Sequence, residues 1–415
     1  MTGGGTGDMV GDRPVAQVEP PAVLQRGAPA AVLAALPGAR AVGGAVRDAL
    51  AGLPLHDVDV AAPLPPEEIA RLLRAAGLKV FETGLAHGTV TAVLDHEPVE
   101  VTSLRRDLVT DGRHAEVAWT EDWREDAARR DFTINAMSMS ARGELWDYFG
   151  GRADLAAGKV RFVGEPTIRL QEDYLRALRF FRFQTRYGRG KPDAGAVAAI
   201  RMAVPGLARL SVERVWMELK RLLAAPDPRD ALALMAATGV LAAVLPEAGD
   251  PGRLRPELPQ DPLIRLAVLL PQAVDARPLA QRLRLSGEEA ERLLVTRTLE
   301  GVPRPSSPQG LSLRTWRVMV RQRSRLVAPA DPLWLAEAEA GGAGWDALRR
   351  AVAAEPAAEF PLLGRDAIGA GLVPGPAIGR LLAAVRAWWI GTDCTASREA
   401  CLDKLRELAA AEPSG

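Results

Sequence analysis

The chain has 415 residues; 48% of them are hydrophobic, 5% are aromatic, and 52 Lys and Arg side chains balance 52 Asp and Glu side chains. This length exceeds one ordinary hydrophobic core, so we expect two to four domains, and the abundance of Ala, Leu and Arg favours mostly helical ones. The formal net charge of zero excludes a uniformly basic surface, so any RNA-binding region has to be a local patch.

Cysteine usage and hydropathy exclude several further classes. The two cysteines, Cys394 and Cys401, have no third or fourth metal ligand near them in the sequence, which argues against a zinc site and a disulfide framework. The sequence contains no run of 18 apolar residues and no secretory signal pattern. We therefore expect a cytoplasmic protein with no membrane partner.

The first elements lead into a strand. Residues 1–25 are rich in Gly, Pro and polar residues and show no apolar period, which predicts a disordered leader. An Ala- and Leu-rich helix is predicted over residues 29–36, and the Pro37-Gly38 turn then leads into the first strand.

A glycine pair follows this strand. Ala41 and Val42 predict a short apolar strand, and Gly43-Gly44 predicts a turn into a helix that carries Arg47. Glycines let the backbone approach a phosphate, and the start of a helix offers unpaired N–H groups and a positive dipole end. The pair therefore predicts a phosphate site, although a plain turn also explains two adjacent glycines.

Two carboxylates lie on the predicted second strand. Asp57 and Asp59 are two residues apart, so alternation points both to one face, about 7 Å apart along the backbone. Such carboxylates repel each other unless a cation lies between them, and Mg²⁺ is usually held by one or two carboxylates together with substrate phosphates. We predict a metal site here; the alternative is a solvated strand end.

The next segments predict a small mixed sheet. A helix is predicted from Pro65-Pro66 to Gly77, and strands are predicted over residues 79–81, 88–94 and 99–104. If the third of these lies beside the Asp57 strand, Glu100 is a candidate third carboxylate, and a solvated edge glutamate is the alternative. His87 is a candidate RNA or nucleotide contact or an ordinary turn residue.

A predicted loop and a basic motif follow the sheet. Residues 106–124 are polar and charged with no steady period, which predicts a long mobile loop of the kind that often acts as a lid. Residues 129–136 read RRDFTINA. Arginine forks match phosphate oxygens, and Asp and Asn suit sugar hydroxyls, so this segment can bind a nucleoside triphosphate. A surface salt-bridge cluster is the alternative.

A predicted amphipathic helix starts near Arg169. Asp173, Arg176, Arg179 and Arg182 advance along it in steps of three. Spacing i, i+3 keeps a carboxylate and a guanidinium adjacent on one face, which together present an acceptor and a fork of donors to a base edge. An ordinary helix with a salt bridge is the alternative. Residues 161–221 hold 13 Lys and Arg against 6 Asp and Glu, which predicts either an RNA-binding stripe or a solvated basic face.

The remainder is predicted to be helical. Proline-broken helices are expected over residues 231–245, 262–270, 279–299, 311–326 and 333–340, and none of them carries a catalytic pattern. A Gly- and Pro-punctuated segment, residues 364–382, is either an RNA-backbone contact or a structural turn.

These motifs together resemble one enzyme family. The chain resembles the class II nucleotidyltransferases, which are the CCA-adding enzymes and bacterial poly(A) polymerases. The motifs that carry the resemblance are, in chain order, GG-x-VRD, D-x-D, RRDFTINA and E-D-x-L-R-x-L-R-x-x-R-F. The resemblance is dense from about residue 40 to 223. It implies an α+β fold with a small mixed-sheet nucleotidyltransferase head domain followed by an all-helical neck, body and tail. The expected domains are the leader at 1–25, the head at 26–155, the neck at 156–225, and the body and tail at 226–415.

The resemblance also implies a reaction and a set of site residues. The reaction is template-independent addition of CCA to the 3′ end of tRNA from CTP and ATP, with Mg²⁺ as cofactor and no obligate protein partner. Asp57 and Asp59 are the implied catalytic and metal-binding residues. The implied nucleotide-binding residues are Gly44, Arg47, Arg130, Asp131, Asn135, Asp173, Arg176, Arg179 and Arg182. Among them, Arg130 is expected at the triphosphate, Asp131 and Asn135 near the sugar, and Asp173 and Arg176 at the base.

Two alternatives stay open. A bacterial poly(A) polymerase, or an enzyme that adds only A, shares every motif; the absence of a long basic C-terminal extension argues against the former. In the CCA-adding family, a flexible loop at the position of residues 106–124 helps in the final A addition. The other alternative is a catalytically inactive RNA-binding relative, against which the intact Asp57, Asp59 and Arg130 argue.

Overall fold

The computed structural model describes residues 12–55, 57–84, 88–110, 115–299 and 304–411. The strands are β1 (Ala16–Gln17), β2 (Arg40–Val42), β3 (Val60–Ala62), β4 (Lys79–Gly84), β5 (Thr89–Leu94), β6 (Glu97–Ser103), β7 (Arg105–Thr110), β8 (Ala115–Trp119), β9 (Met137–Met139) and β10 (Glu144–Asp147). His56 and His87 lie outside the described residues, so the interpretation of His87 stays a prediction.

The helices make up most of the remaining described chain. In the N-terminal half they are α1 (Gly27–Ala35), α2 (Gly44–Leu50), α3 (Pro66–Ala75), α4 (Trp123–Ala128), α5 (Gly151–Ala157), α6 (Pro166–Glu172), α7 (Leu175–Tyr187), α8 (Ala194–Ala203), α9 (Val212–Leu223), α10 (Arg229–Ala237) and α11 (Val240–Val244). In the C-terminal half they are α12 (Pro262–Leu269), α13 (Ala276–Arg282), α14 (Gly287–Arg297), α15 (Leu313–Arg323), α16 (Asp331–Ala340), α17 (Trp345–Ala354), α18 (Gly364–Gly369), α19 (Pro376–Gly391) and α20 (Arg398–Ala411).

A mixed sheet lies in the first of two compact units, Met1–Pro246 and Glu247–Gly415. Its strand order among the described residues is β1-β10-β9-β2-β3-β6-β5-β4. Among the described strands, β3 and β6 form the one parallel pair, and α3, β4 and β5 lie between them in the chain. Every residue of β2 and β3 is buried. The predicted α+β fold, with a mixed-sheet head followed by helices, is confirmed; the finer domain boundaries stay predictions.

The predicted disordered leader is wrong for the part of it that the structure describes. Strand β1 pairs with β10, with Ala16 opposite Leu145, and Leu24 in the short 3₁₀ helix Ala22–Gln25 is almost fully buried. An edge strand of two residues needs only backbone pairing, so it leaves no apolar period in the sequence. Residues 1–11 lie outside the described residues.

The predicted loop over residues 106–124 is also wrong for its described part. Strands β7 and β8 form an antiparallel hairpin, and helix α4 begins at Trp123. The Thr120 N–H donates to the Leu104 carbonyl at 3.1 Å and closes the foot of the hairpin. The sequence of this segment is polar and charged with no steady hydrophobic alternation, so its pattern did not indicate strands. Residues 111–114 lie outside the described residues.

The predicted base-reading helix is interrupted at Asp173. Helix α6 ends at Glu172, Asp173 has an extended backbone with φ −154°, and α7 begins at Leu175. The Asp173 carboxylate accepts the Leu175 N–H at 3.0 Å, as short polar side chains do at helix starts. Asp173 therefore lies in a junction between two helices rather than on a helix face.

In the described part of the second unit, every regular element is a helix. The predicted helix over residues 279–299 is broken into α13 and α14, because Ser286 and Glu289 form a capping box that starts a new helix. One hydrophobic cluster contains Trp316 and Trp345, and another contains Cys394 and Cys401, which are both buried free thiols. Across the described residues, no helix combines the length and apolar character that a membrane crossing requires.

Candidate active site

A cavity of about 700 Å³ in the first unit is lined by residues from four predicted motifs. The residues predicted to bind metal or nucleotide that line it are Gly44, Arg47, Asp57, Asp59, Arg130, Asp131, Asn135, Asp173, Arg176, Arg179 and Arg182. Glu100 is not part of this lining, and His87 lies outside the described residues. Residues as far apart in the sequence as Gly44 and Arg182 thus face one space.

The glycine turn lies against an arginine. Gly43 has φ +64° and precedes α2, and a Cβ at this position would stand 3.0 Å from Arg130 Nη1. Only a glycine adopts this backbone conformation without strain. At Gly44 the nearest atom to a Cβ would be Arg47 Nη2 at 3.6 Å, which is ordinary contact. The turn therefore brings the α2 backbone close to the Arg130 guanidinium.

The two carboxylates lie immediately before β3 rather than within it. Asp57 and Asp59 are exposed, whereas Val58 and Val60 are buried, so the predicted alternation is present in the extended segment. The Val42 N–H donates to the Asp59 carbonyl at 3.0 Å and anchors this segment to the sheet. Neither carboxylate forms a hydrogen bond or ion pair with another described residue. Both are free to bind a ligand.

The environment of Asp59 is suited to a cation. Desolvation by the surrounding protein, and then the negative charges of Glu100 and Asp57, raise the pKa of Asp59, while Arg130 opposes the rise. Glu100 is adjacent because β3 pairs with β6 in parallel, with Val60 opposite Val101. Among the described residues, no group of three or more His, Cys, Asp or Glu side chains is placed to hold a metal ion. Two carboxylates that need phosphate or water to complete a coordination shell fit Mg²⁺ chemistry.

Asp126 holds the two arginines of the RRD motif, and sequence reasoning missed it. Its carboxylate accepts from Arg129 Nη2 at 2.8 Å and from Arg130 Nη2 at 3.1 Å, and the residue is 2% exposed. Burial alone would raise its pKa, but the charges of Arg130 and Arg129 hold the pKa below its usual value. The signal was present as the i, i+3 and i, i+4 spacing from Asp126 to Arg129 and Arg130, but residues 125–128 were assigned to no element or motif.

Asp131 and Asn135 take part in a buried network of hydrogen bonds. Asp131 accepts from Arg179 Nε at 2.7 Å and from Asn135 Nδ2 at 2.9 Å, and Asn135 accepts from Arg47 Nη1 at 2.5 Å. Burial would raise the pKa of Asp131, but Arg179 and these hydrogen bonds outweigh it and lower the pKa. The resemblance implied a place near the sugar for both residues, and this role stays a prediction. In the structure their polar atoms link α7 to α2, and both residues line the cavity.

Asp173 and Arg176 do not pair with each other, contrary to the i, i+3 interpretation. Asp173 accepts from Arg214 Nη2 at 2.7 Å, on α9. Arg176 pairs with Glu172 and donates to the backbone carbonyls of Arg169 and Arg129 at 3.1 and 3.0 Å. The helix break at Asp173 separates the two side chains. Both still line the cavity, each oriented by its own partner.

Glu218 is a second buried carboxylate that the sequence analysis did not identify as part of the site. It is 4% exposed, accepts from Arg182 Nε at 2.6 Å, and lies 3.7 Å from Arg179 Nη1 and 3.6 Å from Arg221 Nη1. It lies on the buried face of α9, among Val215, Leu219 and Leu222. A lone acid within an apolar stripe is the signal that could have identified it.

Tyr187 connects the end of α7 to α2. Its hydroxyl donates to Asp48 Oδ1 at 2.5 Å, and the Arg47 guanidinium lies 4.4 Å from its ring centroid. Burial, which is the largest effect, raises the pKa of Tyr187 to about 12, so the hydroxyl stays protonated and donates. Arg47 is thereby held between Asp48, Asn135 and an aromatic face.

Two family models match the chain at these elements. The model described as "Poly A polymerase head domain" matches residues 39–161, and the model described as "Probable RNA and SrmB- binding site of polymerase A" matches residues 192–250. The first match includes the glycine turn, the two carboxylates and the RRD segment.

Curated relatives carry one activity in their names. The mouse protein named "CCA tRNA nucleotidyltransferase 1, mitochondrial" is 36% identical over 369 residues, which are 84% of this chain and 82% of the mouse chain. The "CCA-adding enzyme" of Lacticaseibacillus paracasei is 35% identical over 82% of this chain and 85% of its own. The zebrafish protein with the mouse protein's name is 44% identical, and that alignment covers 60% of each chain.

A solved structure has the same fold. The "CCA-adding enzyme in complex with CTP" of Bacillus stearothermophilus superposes with a TM-score of 0.71 at 29% identity, and the match covers 90% of this chain and 93% of that one. The sequence matches to the mouse and Lacticaseibacillus proteins exceed four fifths of their lengths. The chain is therefore an enzyme that belongs to the family of CCA tRNA nucleotidyltransferases, also called CCA-adding enzymes.

Proposed function

We propose that the cavity carries out the reaction of this family, the addition of CCA to the 3′ end of tRNA from CTP and ATP. The 3′-terminal ribose hydroxyl attacks the α-phosphorus of the bound nucleotide, the bond to the β-phosphate breaks, and pyrophosphate leaves. The observation that carries the proposal is the placement of Asp57 and Asp59 in the same cavity as the RRD arginines and the Asp173–Arg176 segment.

Asp57 and Asp59 are the proposed ligands of a divalent metal, which we assign as Mg²⁺. The support is their oxygen-only chemistry, their common face, and a pKa of Asp59 that is raised by desolvation from the surrounding protein and by the charges of Glu100 and Asp57. Bound there, the metal would lower the pKa of the attacking hydroxyl and neutralise charge on the triphosphate. Glu100 stays a candidate third carboxylate of this site, beside Asp59, whose pKa its charge helps to raise.

Arg130 and the glycine turn are the proposed triphosphate site. Arg130 reaches the Gly43 turn through Nη1 while Asp126 holds its other edge, so one side of the guanidinium faces the cavity. Guanidinium forks match phosphate oxygens, and backbone N–H groups near glycine permit close approach.

Asp173 and Arg176 are the proposed base readers, together with Arg179 and Arg182. Cytosine offers an N4 donor with N3 and O2 acceptors, and adenine offers an N6 donor with an N1 acceptor. A carboxylate and a guanidinium satisfy either edge. The separate partners of the two side chains, Arg214 and Glu172, let the site offer an acceptor and donors from distinct positions.

One incubation separates this proposal from its competitors. Transfer RNA that lacks its CCA end is incubated with labelled CTP alone, and the product is resolved at single-nucleotide length. We expect addition of two C residues and, after ATP is supplied, one A. A poly(A) polymerase or an enzyme that adds only A would leave CTP unincorporated and extend the RNA with ATP. An inactive RNA-binding relative would bind the tRNA and extend it with neither nucleotide.

The proposed partners are tRNA and the two nucleotides, with no obligate protein partner. We place the protein in the cytoplasm, which the buried free thiols of Cys394 and Cys401 support. Fractionation of cells that express a tagged full chain tests this assignment.

A further inference from the structure

Asp126 belongs to no motif that the sequence analysis singled out, yet it contacts two residues of the cavity. It lies on α4, between the β7–β8 hairpin and the RRD segment. Its Oδ1 accepts from Arg129 Nε and Nη2 at 3.0 and 2.8 Å, and its Oδ2 accepts from Arg130 Nε and Nη2 at 3.4 and 3.1 Å. Both arginines line the cavity, whereas Asp126 does not.

The Asp126 carboxylate is itself anchored. It is 2% exposed, and the Arg105 N–H at the foot of the hairpin donates to its Oδ1 at 3.4 Å. Helix α4 is fixed in turn by its N-cap, since the Asp122 side chain accepts the N–H groups of Arg124 and Glu125. A side chain with this burial and these contacts does not reorient freely.

Two adjacent guanidiniums repel each other unless an anion lies between them. Arg129 and Arg130 share one carboxylate, which neutralises part of their charge and fixes one edge of each fork. For Arg130 the remaining Nη1 lies beside the Gly43 turn and donates to the Asn135 carbonyl at 3.5 Å. A long arginine side chain otherwise loses rotamer freedom when it binds a phosphate, and that loss weakens binding.

We propose that Asp126 is a positioning residue that orders Arg129 and Arg130 for the triphosphate of the incoming nucleotide. This inference rests on the proposed function, because it assumes that the cavity takes a nucleoside triphosphate. Asp126 does not touch the reacting atoms. It acts through the two guanidiniums, and its loss lowers nucleotide affinity more than tRNA affinity.

Asp154 offers a matched control in the same unit. It is also a buried carboxylate that holds an arginine, since it accepts from Arg161 Nε at 3.0 Å and from the Thr133 hydroxyl at 2.6 Å. Neither Asp154 nor Arg161 lines the cavity. Asp154→Asn therefore reports what the loss of a buried charge does to the fold without a change at the nucleotide site.

The test measures labelled CTP binding by equilibrium dialysis and tRNA binding by filter retention, on the full chain. We expect Asp126→Asn to raise the Kd for CTP about tenfold, which corresponds to the lower end of the free energy that a hydrogen bond to a charged group contributes. The Kd for tRNA should not change. Asp154→Asn should bind CTP like the wild type. In the Arg130→Ala background, Asp126→Asn should add a smaller factor than it does alone, since both changes disrupt one unit.

Equal CTP affinity in Asp126→Asn and Asp154→Asn would overturn the inference, as would full additivity with Arg130→Ala. If Asp126→Asn does not fold, Asp126→Glu is the second variant. Its longer carboxylate should give a Kd for CTP above the wild-type value and below the tenfold increase expected for Asp126→Asn. A wild-type Kd for CTP in Asp126→Glu would contradict the positioning role. The two proposals can fail separately. If CTP binding depends on Asp126 but the wild-type protein never incorporates CMP, the positioning role of Asp126 is supported and only the proposed reaction is refuted.

Discussion

The two walls of the cavity are built in opposite ways. The acidic wall, Asp57 and Asp59, is exposed and makes no ion pair with another described residue. The arginine wall consists of Arg130, Arg179 and Arg182, and a buried carboxylate holds each of these arginines. Those carboxylates are Asp126, Asp131 and Glu218.

In the free protein the side chains of the arginine wall are already ordered, whereas the acidic wall needs a bound ligand to complete it. The arginine wall is arranged before a nucleotide arrives, so binding has less side-chain entropy to remove. At the acidic wall, desolvation and then the charges of Glu100 and Asp57 raise the pKa of Asp59, and a bound cation would relieve this cost of its negative charge. Substitutions in the first wall should therefore change nucleotide affinity, and substitutions in the second should change the chemical step.

The largest effect is expected on the acidic wall. Asp57→Ala should lower the rate of CMP incorporation by at least about 10³-fold, because metal assistance contributes several kcal/mol to the transition state. Binding of tRNA, measured by filter retention, should survive. Turnover like the wild type would refute the metal assignment, and loss of tRNA binding would indicate a folding defect instead.

The next effect is expected on the arginine wall. Arg130→Ala should raise the KM for CTP by roughly 10- to 100-fold, since hydrogen bonds to charged groups contribute about 1.5–3 kcal/mol. Steady-state kinetics with saturating tRNA measures this. Arg161→Ala is the control, because Arg161 pairs with Asp154 away from the cavity. A similar KM in both variants would remove Arg130 from the triphosphate site.

The glycine turn offers a sharper comparison of adjacent positions. Gly43→Ala adds a Cβ at φ +64° and 3.0 Å from Arg130 Nη1, so it should cost about 1–3 kcal/mol of unfolding free energy and displace the guanidinium. Gly44→Ala meets only ordinary contact at 3.6 Å and should retain near wild-type stability. Urea unfolding and the KM for CTP check both. Equal behaviour of the two variants would contradict the close approach at Gly43.

The smallest effect is expected at Tyr187. Tyr187→Phe keeps the ring beside Arg47 but removes the hydrogen bond to Asp48, which should cost about 1 kcal/mol of unfolding free energy. The KM for CTP should change less than about twofold, since Arg47 keeps its bond to Asn135. Tyr174→Phe is the control, because that hydroxyl bonds to no other described residue. A large KM change in Tyr187→Phe would place the hydroxyl in the site itself.

The acidic wall was largely predictable, because its signal is local. The alternation of Asp57 and Asp59 with Val58 and Val60 and the turn at Gly43 depend on a few neighbouring residues. The motifs also placed Arg130, Asp173 and Arg176 around one cavity.

The ion pairs that hold the arginine wall were not predictable in the same way. The contact between Arg182 and Glu218 spans 36 positions, and that between Arg179 and Asp131 spans 48. Periodicity cannot show such pairs. The break at Asp173 was missed because an i, i+3 pattern is the same whether or not the intervening backbone is helical. The β7–β8 hairpin was missed because its segment is polar and charged and has no steady apolar period.

The central claim is that the acidic wall holds a divalent cation opposite the arginine wall that holds the nucleotide. Manganese binding, followed by electron paramagnetic resonance with Mn²⁺ as the probe, tests it most directly. The wild-type protein should bind Mn²⁺ more tightly when CTP is present, and the Asp57→Asn, Asp59→Asn double variant should lose this gain while it still binds CTP. A double variant with the wild-type gain in Mn²⁺ affinity would contradict the account.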